Sequence, residues 1–125
     1  MIDRMFASPN YDASKHLLDA AALRQEAISA NIANAETPGY KRVDLDDSFQ
    51  KDFAARFKAG EKTSTIQPKL FTDFHTTSER TDGNNVEVDK ELLAMGQNGT
   101  EFETLTEFVS GSLKQLRMAI TGRSY

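Results

Sequence analysis

Few residues in this sequence are of types that carry out chemistry. It holds two histidines, His16 and His75, and no cysteine. His16 has Lys15 and Asp19 as near neighbours, and a lone histidine on a helix reads as an exposed surface residue rather than an acid, base or ligand. His75 stands in a Phe-His-Thr-Thr stretch with no metal-ligand partner at a recognisable spacing. Asp44, Asp46 and Asp47 have the oxygen donors a hard cation needs, and Asp82-Gly83-Asn84 begins like a calcium loop. That loop fails further on, where Val86 and Leu93 occupy positions that should donate oxygen. Both clusters are expected to be turns or helix caps. Asn98-Gly99-Thr100 fits the glycosylation pattern but falls inside a predicted helix. There is no phosphate-cradling glycine loop and no nucleophile elbow. The residues therefore point away from an enzyme, and no metal or cofactor site is expected.

The elements that would have to position such residues are two long helices. The first is predicted from about Tyr11 to Asn34, a stretch rich in Ala, Leu, Arg, Gln and Glu. Leu18, Ala21, Gln25, Ile28 and Ile32 recur at spacings of three and four and form one stripe. Ala20, Leu23, Ala27 and Ala30 form a second stripe beside it, so the helix has a wide face of small residues. Thr37-Pro38-Gly39 stops it, and Pro-Gly suits the centre of a type II turn. The second helix is predicted from about Val88 to Ile120. Val88, Leu92, Met95, Gly99, Phe102, Thr106, Val109, Leu113, Leu116 and Ile120 hold a heptad a/d register throughout. Asn85 or Asp89 is expected to cap it. Glu87, Asp89 and Glu91 at its start and Lys114, Arg117 and Arg123 towards its end suit the macrodipole. Gly96, Gly99 and Gly111 read as places where a neighbouring helix comes close, or as local bends.

The middle is polar. Phe49, Phe53 and Phe57 suggest a short helix over about 46–58, followed by an extended run through Leu70, Phe71 and Phe74. Three regions result: residues 1–42 with the first helix and its turn, 43–86 as the middle, and 87–125 with the heptad helix. The fold class is mainly α, an elongated antiparallel, coiled-coil-like pair of terminal helices with a polar, partly extended middle.

A net charge of −4 and a single basic pair, Lys41-Arg42, argue against nucleic acid as a partner. That pair reads as a solvated turn flank. Without thiols the chain is compatible with any redox compartment. No run reaches the roughly 18 apolar residues of a membrane span. The start, Met1-Ile2-Asp3-Arg4-Met5-Phe6, lacks the features of a cleaved secretory signal.

The run from Arg24 to Lys41, with Asn31, Asn34, Thr37, Pro38, Gly39 and Tyr40 at its end, closely resembles the N-terminal signature of the flagellar rod and hook family. Asn31 and Asn34 lie a turn apart, where their amides can cap frayed carbonyls or bond across to another helix. Tyr40 offers an amphipathic anchor. Asp82 to Glu91 is similar to a run in the proximal rod members of that family, as is the ending from Leu113 to Arg123. The resemblance covers residues 11–45 and 80–123. It implies a structural subunit of the basal-body proximal rod, exported through the flagellar type III apparatus without signal cleavage and lodged in the periplasmic part of the flagellum. It further implies self-assembly through the terminal helices into a torque-transmitting shaft. The implied partners are other copies, other rod proteins, the export gate and the inner-membrane ring or rod-junction proteins, with no small-molecule substrate. The packing residues then expected are Leu18, Ala21, Ile28, Asn31, Ile32, Asn34, Pro38, Gly39, Tyr40, Leu92, Met95, Phe102, Val109, Leu113, Leu116 and Ile120. The heptad register alone also suits a soluble coiled-coil adaptor or export chaperone.

Overall fold

The structure is a computed structural model and describes residues 8–74 and 78–123. His75 and the segment Met1–Phe6 lie outside the described residues. Helix α1 spans Pro9–Ala33 and the long helix α3 spans Val88–Thr121. Between them lie strand β1 (Val43–Leu45), helix α2 (Asp47–Lys58) and strand β2 (Leu70–Thr72). β1 and β2 pair antiparallel with Asp44 opposite Phe71. The ladder extends on both flanks, where Asp73 N donates to Arg42 O and Asp46 N to Lys69 O, both at 2.8 Å.

Local chemistry explains where the helices begin and end. The Asp46 carboxylate accepts from Ser48 N at 2.9 Å and so caps α2, as expected for that acidic cluster. At the far end Gly60 adopts φ +71°. Its N–H reaches Phe57 O and that of Glu61 reaches Arg56 O, the paired bonds of a Schellman stop. The expected cap of α3 by Asn85 or Asp89 is not formed: Glu87 is the N-cap and makes no side-chain cap bond. Asn85 is engaged elsewhere, as described below. Gly122, at φ +66°, ends α3 by donating to Met118 O at 2.8 Å.

The two stripes of α1 separate their duties. The second, with Ala20 and Leu23, joins Ala13, Leu17, Leu45, Phe49, Phe53 and Ile66 in the apolar core. Phe49 and Phe53, one turn apart on α2, pack with tilted rings at 5.8 Å between centroids. Their burial stabilises the fold by about 1.5–3 kcal/mol each. The first stripe receives α3: Asn98 Nδ2 donates to Ala21 O at 2.9 Å and to Gln25 Oε1 at 3.1 Å. Arg24 stands 3.6 Å from Glu101, and Asn31 bonds Glu91. The partners run in opposite directions along the two helices, so the pair is antiparallel.

The seam on α3 is rotated from the expected heptad. Met95, Val109 and Leu116 are half-buried as expected, but Leu92 is 53% exposed and Ile120 63%. Val88, Phe102 and Leu113 are also exposed. The positions one residue earlier in each heptad, Glu91, Asn98, Leu105 and Ser112, turn inward instead. Polar partners decide this: Glu91 and Asn98 carry hydrogen bonds that an exposed position would not supply. A side chain added at Gly96, Gly99 or Gly111 would meet nothing within 4 Å, so no helix approaches closely there within the described chain. Neither Lys114 nor Arg117 lies in the last turn of α3, which holds no basic residue, and of the three expected cations Arg123 alone, just past the Gly122 cap, stands within a turn of that end.

Candidate functional site

Two features stand out once the elements are in place. The first is a polar cluster where the end of α1, the start of β1 and the start of α3 meet. Asn31, with no exposed surface, reaches both ways: its Nδ2 donates to Val43 O at 2.8 Å and to Glu91 Oε2 at 3.1 Å. Its Oδ1 accepts from Val43 N at 2.8 Å and from the Tyr40 hydroxyl at 3.2 Å. The amide thus pairs with the free edge of β1 much as a neighbouring strand would.

Glu91 is only 1% exposed, and a lone buried carboxylate would be costly. Arg42 compensates it, with Nε 2.8 Å from Glu91 Oε1. The same guanidinium holds Asp73 at 2.8 Å and Asp44 at 3.0 Å. Burial by itself lowers the Arg42 pKa, but its bonds to Glu91 and Asp73 and the charges of Glu91 and Asp44 outweigh that and raise it. Arg42 is therefore charged at any working pH. The expected solvated flank at Lys41-Arg42 is overturned, since Lys41 also bonds Gly83 O at 2.6 Å and Glu79 at 2.9 Å. Burial, then the Glu91 charge, raises the Tyr40 pKa.

The second signature run completes the cluster. Pro38-Gly39 forms the expected turn, with Gly39 at φ +75° and Tyr40 N bonded to Thr37 O at 3.3 Å. Gly39 N donates to Asp82 O at 2.8 Å. Gly83 lies against it, so that a Cβ there would sit 3.5 Å from Gly39 Cα. Asn84, with no exposed surface, donates from Nδ2 to Asn34 O at 3.0 Å and Thr37 O at 2.8 Å. These are carbonyls of the cap and turn that follow α1, so Asn84 ties that turn down. Asn34 itself caps Ala30 O at 2.9 Å, as its position foretold. Asn85 accepts from Arg42 N at 2.7 Å and donates to Asp73 O at 2.7 Å. The side chains named here bond backbone or one another, an arrangement that joins segments of chain rather than poising a group for acid–base or nucleophilic work.

The second feature is the apolar surface of α3 and the grooves beside it. One groove of about 470 Å³ runs between Ala13, Leu17, Phe53, Phe57 and Phe108. Another of about 420 Å³ is lined by Ala22, Met95, Asn98, Gly99 and Phe102. They flank the α1–α3 seam.

Of the expected packing residues, Asn31, Asn34, Pro38, Gly39 and Tyr40 gather at the polar cluster. Ala21 and Ile28 are buried, and Leu18 and Ile32 half-buried, on α1. Leu92, Phe102, Leu113 and Ile120 face outward. Sequence reasoning missed Arg42, Asp73, Asn84, Asn85 and Glu91. A signal for Glu91 existed: it shares the three-and-four spacing of Met95 and Asn98, and an acid on such a seam demands a cation. His16, expected on the surface, has a side chain only 15% exposed, with a shielded Nδ1 and Nε2 at 4.0 Å from Asp12. Among the described residues no acid, histidine and cysteine group could hold a metal, and no helix is long and apolar enough to cross a membrane.

Comparison with known proteins agrees with these features. The flagella basal body rod protein family matches residues 18–41, the end of α1 and the turn. The flagellar basal body rod protein FlgB of Aquifex aeolicus is 31% identical over 105 residues, 81% of this chain and 84% of that protein. FlgB of Aeromonas hydrophila is 30% identical over 119 residues, covering 86% and 89%. FlgB of Bacillus subtilis is 28% identical over 116 residues, covering 86% and 90%.

Proposed function

The chain belongs to the flagellar basal body rod protein family, and from that premise we propose a subunit of the proximal rod that assembles through its terminal helices. It is a structural protein rather than an enzyme. The observation that carries the proposal is the division of α3: its first turns are locked to α1 by Glu91 and Asn98, while Leu92, Phe102, Leu113 and Ile120 lie open. A helix about 50 Å long with one apolar face unburied gains its remaining stability from neighbours. Burying each such side chain contributes about 1.5–3 kcal/mol. The partners this implies are further copies and other rod proteins, with the export gate and inner-membrane ring at the base of the shaft. Delivery to the periplasm by the flagellar export apparatus follows from the same reading.

The test is location and loss. The chain is expected in intact basal bodies, and deletion of residues 88–120 is expected to abolish both its incorporation and swimming. Recovery from cytosol alone would instead select a soluble adaptor or export chaperone.

A further inference from the structure

The outer face of α3, turned away from α1, carries Gly99, Glu103, Glu107, Ser110 and Lys114, all exposed. At 3.6 residues per turn, Lys114 points within about 20° of both Glu103 and Glu107. None of these three charges has an ion-pair partner among the described residues. Lys114 also lies outside the last turn of the helix, so the macrodipole does not account for it.

The arrangement is self-complementary. The centre of the acidic pair and Lys114 lie at nearly equal distances on either side of Ser110. Turning an identical helix end for end about Ser110 lowers its Lys114 between Glu103 and Glu107 of the first, and the reverse. The small Ser110 side chains at the crossing let the axes approach. Leu113, 43% exposed on the flank, then meets Thr106 of the second copy. A parallel, staggered pair forms only one of the two charge contacts and leaves the other set overhanging.

We propose that unassembled copies pair antiparallel through the outer face of α3, forming a closed two-fold dimer held by Lys114 against Glu103 and Glu107. An isologous pair uses the same patch on both partners and does not propagate. A shaft requires copies that all point one way, so this pair is a state outside it. Pairing occupies the charged outer face around Ser110 until assembly replaces it.

The chain lacks cysteine, so single cysteines report cleanly. Under mild oxidation the full-length Ser110→Cys variant is expected to form a covalent dimer. Glu103→Cys alone does not, while Glu103→Cys mixed with Lys114→Cys does. Adding Lys114→Glu to Ser110→Cys should cut cross-linking at least tenfold, and adding Glu103→Lys and Glu107→Lys to that background should restore it, with helicity unchanged throughout. Cross-linking of the mixed pair without Ser110→Cys would show a parallel stagger and overturn the proposal. So would Ser110→Cys cross-linking no faster than Gln50→Cys, or cross-linking indifferent to charge reversal. Presence of the chain in basal bodies, which tests the rod reading, is unaffected by either result.

Discussion

The two ends of α3 are built on opposite plans. Its first turns sit in a saturated polar cluster, where Glu91 is almost fully buried and bonded to Asn31 and Arg42. Beyond Asn98 it makes few polar contacts to the rest of the chain, and large apolar side chains such as Phe102, Leu113 and Ile120 face outward. The first part is finished within one chain, whereas the second is a surface. A single helix therefore serves as both a fixed joint and a contact to be completed, and the family's signature residues belong almost wholly to the joint.

The largest effect should come from breaking the joint. Arg42→Ala leaves Glu91 and Asp73 without their cation and is expected to cost about 3–5 kcal/mol, read by thermal melting of the helical signal. Asn84→Ala removes the side-chain bonds to the carbonyls of Asn34 and Thr37 and takes from the buried Val86 N its acceptor, Asn84 Oδ1 at 2.8 Å, and should cost about 1–3 kcal/mol in the same assay. Gly39→Ala, at φ +75°, should cost about 1–2 kcal/mol from backbone strain alone. Leu113→Ala belongs to the other plan. It should change the stability of the free chain by less than about 0.5 kcal/mol yet weaken incorporation into basal bodies. A loss from Leu113→Ala as large as that from Arg42→Ala would erase the distinction between the two regions.

The smallest effect concerns pH. Arg42 has a raised pKa, so its contribution is present throughout the neutral range and the joint should not loosen there. Tyr40 is also raised above its ordinary value of 10.0. Its contribution is complete below that value and is lost as pH climbs through the higher one. Tyr40→Phe should remove a step that lies above the ordinary tyrosine value in a tyrosinate absorbance titration.

Much of the fold was legible in the sequence because helices are local. The stripes of α1, the Phe49–Phe53 spacing and the long period of α3 needed only neighbours three or four residues away. The Pro38-Gly39 turn was legible for the same reason. The joint was not, because Arg42 and Glu91 stand 49 positions apart and Asn34 and Asn84 50 apart. Strands of three residues give no period to read. The rotation of the α3 seam by one residue was hidden as well, since an apolar heptad promised more energy than Glu91 and Asn98. Only their partners on α1 and β1 reverse that order. The signature around Asn31 and the run from Asp82 to Glu91 were each recognisable alone, and only the fold shows that they form one cluster.

Amide hydrogen exchange along α3 of the free chain tests the division most directly. Residues 91–98 should exchange slowly and residues beyond about 110 much faster, and Arg42→Ala should release the slow group selectively. Uniform protection along the whole helix, or a slow group that survives Arg42→Ala, would contradict it.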